Sequence, residues 1–204
     1  MKIDDPRGTA FAPSRLRRGT WAIWFVLTAV LFARPADAET FLTAFGGMAS
    51  KGDIWETMGF QAGAFESYLA GLALARTLGR HGEWARWEAE VQGVKHMGMQ
   101  THLEGVGLVL LRWRAFPWGR YLATTLAVGD GLSYCSREPE VEIRRQGRST
   151  RLLNYLLFEI TVAPPGDERW SLSLRQHHRS GIFGTFDGMH GGSDFWVAGV
   201  RRAF

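Results

Sequence analysis

Apolar and polar residues alternate in short runs along most of this chain, and no long segment repeats every three or four positions between helix caps. The stretch Trp170 to Ser180 is the clearest case. Its even positions are Trp170, Leu172, Leu174, Gln176, His178 and Ser180. Its odd positions are Ser171, Ser173, Arg175, His177 and Arg179. Successive side chains of a strand point to opposite faces. One face is therefore apolar until it ends in a histidine and a serine, and the other is polar throughout. A soluble sandwich would bury the apolar face. An outer-membrane barrel would set it against lipid, with a polar lumen behind it. In that second setting a His and a Ser face lipid near a membrane surface, a placement that suits a lipid substrate.

The alternation predicts eight strands, at roughly Phe41–Met48, Phe65–Arg76, Trp84–Lys95, His102–Arg112, Arg120–Gly129, Leu152–Val162, Trp170–Gly181 and Asp194–Phe204. Runs near ten residues match a tilted membrane strand, and eight is the smallest number common in outer-membrane barrels. Among the connections, 77–83, 113–119 and 163–169 are short, and the last holds the turn sequence Pro164-Pro165-Gly166-Asp167. The other set, 49–64, 96–101, 130–151 and 182–193, includes the two longest. Short periplasmic turns opposite longer external loops follow from this assignment. The expected fold is an all-β, eight-stranded, antiparallel up-and-down transmembrane barrel over residues 39–204. Tryptophans 113, 118, 170 and 196 fall near strand ends, where an aromatic girdle belongs, and the chain closes on Phe204. The competing architecture is a soluble β-sandwich.

Residues 1–38 read as a secretory signal peptide. Arg15, Arg17 and Arg18 precede an apolar run from Trp21 to Phe32, and Ala36-Asp37-Ala38 forms a small-x-small cleavage site. That run is short for a membrane-spanning helix. The whole chain has 24 Lys/Arg and 20 Asp/Glu. Six and three of these lie in the leader, so the remainder holds 18 and 17. A nearly neutral mature chain gives no support for nucleic-acid binding. Cys135 is the only cysteine, so an intramolecular disulfide is excluded, and no zinc or haem spacing occurs.

The candidate chemistry lies on the last two strands. His178 and Ser180 share a face, and a serine hydroxyl becomes nucleophilic when a histidine takes its proton. Asp194 opens the following strand with the same parity, beside the His/Ser pair. A Ser/His/Asp triad on the outward face of one hairpin follows. The backbone N–H groups of Gly181 and its neighbours are the candidate oxyanion donors. His177, Arg175, Arg179 and Glu159 are expected in the lumen. His102 with Glu104, and Glu138, Glu140 and Glu142, are expected to be lumen or loop solvation rather than metal ligands. Cys135 is expected in a loop.

The run from Arg175 to Gly184, then Gly191-Gly192-Ser193, then Gly199 to Phe204, resembles the outer-membrane acyloxyacyl hydrolases, the lipid A 3-O-deacylases of the PagL-like family. The stretches Arg112 to Trp118, Gly131 to Tyr134 and Leu153 to Glu159 add to the resemblance, which covers most of the mature chain. It implies an eight-stranded barrel in the bacterial outer membrane. It also implies a membrane-facing triad that hydrolyses the ester-linked acyl chain at position 3 of lipid A, the lipid anchor of lipopolysaccharide. Carried over by motif, Ser180 is the nucleophile and His178 the base. No cofactor or metal is implied. Two positions depart from the family: Gly181 stands where its members have Asn, and Asp194 where they have Glu. The rival expectation is a non-catalytic small barrel serving adhesion, lipid binding or membrane integrity, with function in the 49–64 and 130–151 loops. The sequence leaves open whether the barrel forms a homodimer.

Overall fold

Eight antiparallel strands close into one barrel in sequence order, with β1 hydrogen-bonded to both β2 and β8. The computed structural model describes residues 38–167 and 169–204; the expected leader lies outside them except for Ala38. The strands are β1 Thr40–Ser50, β2 Ala64–His81, β3 Ala85–Gly98, β4 Leu103–Trp113, β5 Ala123–Cys135, β6 Leu152–Ala163, β7 Trp170–Ser180 and β8 Gly192–Ala203. Two short helices lie in the longer connections: α1, Ile54–Met58, between β1 and β2, and α2, Glu140–Gln146, between β5 and β6.

The surface inverts that of a soluble protein. Exposed side chains around the outside include Leu72, Trp87, Val128, Ile160 and Leu172, while Glu88, Glu90, Arg112, Glu159 and Arg175 are buried inside. Buried charges are rare unless paired. Here they form a lattice. Glu88 accepts from Arg86 and Arg112 through Oε1 and from Arg201 through Oε2, and Arg175 bridges Glu90 and Glu159. Arg112 also donates to Glu159. An apolar exterior around a filled polar interior is the construction of a small membrane barrel.

The predicted alternation holds in detail on β6. Leu153, Tyr155, Leu157, Glu159 and Thr161 are buried inside. His177, Arg175 and Arg179 point inward from β7, as their parity requires. Arg202 faces outward near the chain end, its guanidinium over the rings of Trp170 and Phe204.

Strand ends differ from expectation by more than four residues in two places. β2 runs to His81, and β5 runs to Cys135 rather than stopping at Gly129. Cys135 is therefore a buried strand residue, not a loop residue. The sequence Gly129-Asp130-Gly131 looks like a turn, but both glycines lie inside a strand. A Cβ on Gly131 would lie 2.1 Å from the Gly107 carbonyl oxygen, and one on Gly129 would lie 2.7 Å from Leu108. They are glycine because β4 packs too closely to admit a side chain.

Candidate active site on the outward face

β7 and β8 pair so that His178 stands directly opposite Asp194 and Ser180 opposite Gly192. His178 Nδ1 lies 2.7 Å from Asp194 Oδ1. A donating Nδ1–H leaves Nε2 as the basic atom of the ring, the arrangement a general base requires. Asp194 is 2% exposed although it faces outward, because loops cover it from both sides. Its Oδ1 also accepts from Gln176 Nε2 at 3.1 Å, and Arg145 Nη1 lies 3.4 Å from its Oδ2.

Gln176 belongs to β7 itself, whereas Arg145 comes from α2, and α1 covers the same face. The Asp53 carboxylate caps α1 by accepting from the N–H groups of Trp55 and Glu56, while the Glu56 side chain returns to the Asp53 N–H. This reciprocal capping fixes the first turn. Gln176 Nε2 donates to the Ile54 carbonyl at 2.9 Å, and Trp196 Nε1 to the Thr57 carbonyl at 2.6 Å, so α1 lies across the outer face of β7 and β8. Phe60 stacks on Trp196 with ring centroids 6.2 Å apart. Beside them runs a groove of about 410 Å³, lined by Met48, Phe60, Leu174, Trp196 and Ala198 among others.

α2 folds over the mouth of the barrel. Val141 joins an apolar cluster with Phe45, Leu69 and Phe195. Glu142, expected to be lumen or loop solvation, is fully buried and accepts from Arg179, Ser149 and Ser193. With Val141 and Glu142 anchored below, Arg145 on the same helix reaches Asp194. Neither helix was expected from the sequence. Asp53 and Glu56 carry a capping-box spacing that could have revealed α1, and Gly147, left-handed at φ 75°, marks the end of α2.

Ser180 and His178 share the outward face, but no hydrogen bond joins them among the described residues. Ser180 Oγ instead accepts from the Ile182 N–H at 3.2 Å. Ile182 and Phe183 follow in left-handed conformations, φ 42° and 51°. Each such non-glycine residue costs about 1–2 kcal/mol, so the turn after Ser180 is strained.

Among the expected oxyanion donors, Gly181 itself is already engaged: its N–H donates to the Gly191 carbonyl at 2.9 Å. Gly181 has a different role: a Cβ there would lie 1.9 Å from the Met189 carbonyl oxygen. The close return of residues 189–191 onto 181 explains glycine at this position.

Two further polar residues complete the patch. Asn154 pairs with Ser180 in the β6–β7 register, and its Nδ2 donates to Asp130 Oδ1 at 2.9 Å and to the Gly131 carbonyl at 3.0 Å. Asp130, Asn154, Gln176, His178, Ser180 and Asp194 thus form one polar island on the outward face of β5–β8. Asn154 lies on the outward face of β6 and was not among the candidate residues. The shared parity of Asn154 with Ser180 was the available signal.

One cluster in the lumen has metal-ligating side chains. Ligand atoms of His96, Glu104 and His177 lie within 4.8 Å of one another. Both ring Nε2 atoms approach the same Glu104 oxygen, at 2.7 Å and 3.2 Å. Gln100 Oε1 accepts from the Val141 N–H, which turns its Nε2 toward His96 Nδ1 at 3.0 Å. His96 Nδ1 is then the acceptor, and its Nε2 carries the proton facing Glu104. This tautomer makes His96 and Glu104 a hydrogen-bonded pair, with His177 Nε2 beside it. Nearby, His102 stacks on His96 at 4.2 Å, and burial with the neighbouring His96 depresses its pKa to about 3.

No family model matches the sequence, and no curated protein matches it. The likenesses are to solved structures. The chain is similar to the outer membrane enzyme PagL, with a TM-score of 0.53 at 10% identity over 79% of this chain and 98% of that one. Neisserial surface protein A gives 0.49 at 11% identity, covering 81% and 97%. The N-terminal β-barrel domain of Pseudomonas aeruginosa OprF gives 0.46 at 9%, covering 81% and 97%. At such identities the likeness is one of fold: the chain is a closed eight-stranded barrel of the outer-membrane type.

Proposed function

We propose that this protein is a serine esterase of the bacterial outer membrane that removes the ester-linked acyl chain at position 3 of lipid A. The observation that carries the reading is the 2.7 Å contact between His178 Nδ1 and Asp194 on the outward face, with Ser180 two residues along the same strand. A polar island in an apolar belt has no packing benefit against lipid. It makes sense where a lipid ester must meet polar groups.

In this mechanism Asp194 holds the His178 ring, and His178 Nε2 takes the Ser180 proton as Oγ attacks the ester carbonyl. His178 then returns the proton to the departing sugar hydroxyl. Water, activated by the same ring, releases the fatty acid and regenerates Ser180. The Ile182 N–H, at Ser180 Oγ before substrate arrives, is the oxyanion donor in place of Gly181. The groove between Phe60, Trp196 and Leu174 takes the acyl chain from the side of the barrel. Reaction requires Ser180 to exchange its bond from Ile182 for one to His178. Catalytic hydrogen bonds often tighten only with substrate present.

One observation favours a second reading. Ser180 hydrogen-bonded to Ile182 rather than to His178 suits a small barrel without catalysis, serving adhesion, lipid binding or membrane integrity. Mass spectrometry of lipid A from a Gram-negative host separates the two. The esterase reading expects loss of one 3-hydroxyacyl chain with the native sequence and none with Ser180→Ala. Unchanged lipid A from a host carrying folded native protein in its outer membrane would sink it.

A further inference from the structure

The opposite end of the barrel, far from the polar island, holds a second feature. The last inward residues of β5, β6, β7 and β8 at this end are Ala123, Ala163, Ser171 and Ala203, all short. They leave a cavity of about 240 Å³. Facing them are Arg86 and Arg201, whose guanidinium carbons lie 4.4 Å and 4.1 Å from the centre of the Phe41 ring.

The ion lattice behind this cavity does not balance. Four buried guanidiniums, Arg86, Arg112, Arg175 and Arg201, share three buried carboxylates, Glu88, Glu90 and Glu159. Arg112 uses all its nitrogens on Glu88, Thr125 and Glu159. Arg175 is engaged by Glu90 and Glu159. Arg86 donates to Glu88 and to Glu39, a rim carboxylate 41% exposed and shared with Arg80. Arg201 donates Nη2 to Glu88, but its buried Nη1 has no hydrogen-bond partner among the described residues and lies 3.7 Å from Glu159 Oε2. The surplus positive charge therefore falls at the cavity wall. A buried charge persists when something pairs it.

We propose that this cavity is a binding site for a phosphate-type oxyanion, held by Arg201 and Arg86 with the Ser171 hydroxyl. Guanidinium forks match an oxyanion that offers several acceptor oxygens, and two forks around one small cavity favour a tetrahedral group over a single carboxylate. The cavity volume admits that group with some of its hydration. The short residues at positions 123, 163 and 203 are what keep the space. The site is separate from the Ser180 face and does not depend on the esterase reading.

The test uses the full barrel refolded in detergent micelles and titrated calorimetrically with inorganic phosphate, with chloride at equal ionic strength as the reference. Glycerol phosphate forms a second arm. The proposal expects saturable one-site binding of phosphate and none of chloride. Binding of both phosphates places recognition in the oxyanion alone; binding only of glycerol phosphate shows that the site takes an organic phosphate. Arg201→Ala risks misfolding, so the deciding variant is Ala203→Glu. It sets a carboxylate in the cavity and leaves every arginine in place. Phosphate affinity should fall roughly tenfold or more, the scale of a lost charged hydrogen bond. Neither phosphate binding above the chloride reference, or Ala203→Glu binding as the native protein does, would overturn it.

Discussion

Asp194 faces His178 across the β7–β8 pairing and holds its Nδ1 at 2.7 Å, while the other carboxylate oxygen faces Arg145 at 3.4 Å. The carboxylate is thus fixed at both ends before any substrate arrives. In the esterase reading, Asp194→Asn keeps the shape but can present an amide N–H to the ring and stabilise the wrong tautomer. The expected result is a loss of about a thousandfold or more in kcat with the barrel still folded. Asp194→Glu should retain more activity than Asp194→Asn. Rates on a lipid ester in mixed micelles check both, and an Asp194→Asn rate within a few fold of native would remove Asp194 from the mechanism.

Ala198 faces the groove between Trp196 and Val200, on the same outward parity as Asp194. Replacing it with Trp fills the space proposed for the acyl chain. Activity on long-chain esters should fall while short-chain esters are cleaved at close to the native rate. Equal loss across chain lengths would show that this groove does not take the acyl chain.

Glu88 is buried with Arg86, Arg112 and Arg201 around it. Removing its charge leaves guanidiniums without their partner, which costs about 3–5 kcal/mol for a buried pair. Glu88→Ala should lower the urea midpoint of the refolded barrel accordingly. Arg144→Ala, which breaks the exposed pair with Glu140, should change it by less than about 1 kcal/mol.

His102 lies in the connection before β4, buried, with His96, Glu104, Lys95 and Arg179 as its charged or titratable surroundings. Its folded pKa is depressed to about 3, while an unfolded histidine titrates near 6.5. Between those values the unfolded chain binds the proton and the folded chain does not. Stability is therefore full above about pH 6.5 and declines as pH falls toward 3. Unfolding midpoints from pH 7.5 to 4 should show this decline, and His102→Gln should flatten it. An unchanged slope in that variant would assign the decline to other groups.

The sequence carried the barrel more fully than the site. Every strand was visible because lipid on one side and an ionic lumen on the other force a period of two, as in Ser173 and Arg175 against Leu172 and Leu174. Parity also brought His178, Ser180 and Asp194 to one face. It could not show which loops would cover them. Arg145 reaches Asp194 because α2 folds back over the barrel, and α1 lies across the same face, long-range consequences of Glu142 meeting Arg179 and Trp196 meeting Thr57. The end of β5 was hidden for a related reason. Glycine at 129 and 131 reports the closeness of β4, not a turn.

Gly181 is where the family resemblance and the local packing make opposite predictions. If Asn after the serine supplies what this chain lacks, Gly181→Asn should raise activity. The backbone argues otherwise. A Cβ at 181 would lie 1.9 Å from the Met189 carbonyl oxygen, a contact that a backbone atom cannot relieve by a rotamer change. The loop would have to move, and with it the Gly181 bond to Gly191 and the strained Ile182–Phe183 turn that places an N–H on Ser180. The expected outcome is a lower kcat and faster proteolysis within 181–191, with the barrel itself as resistant to unfolding as the native protein. A rise in kcat would show that the loop accommodates a side chain and that this site uses the family's asparagine chemistry after all.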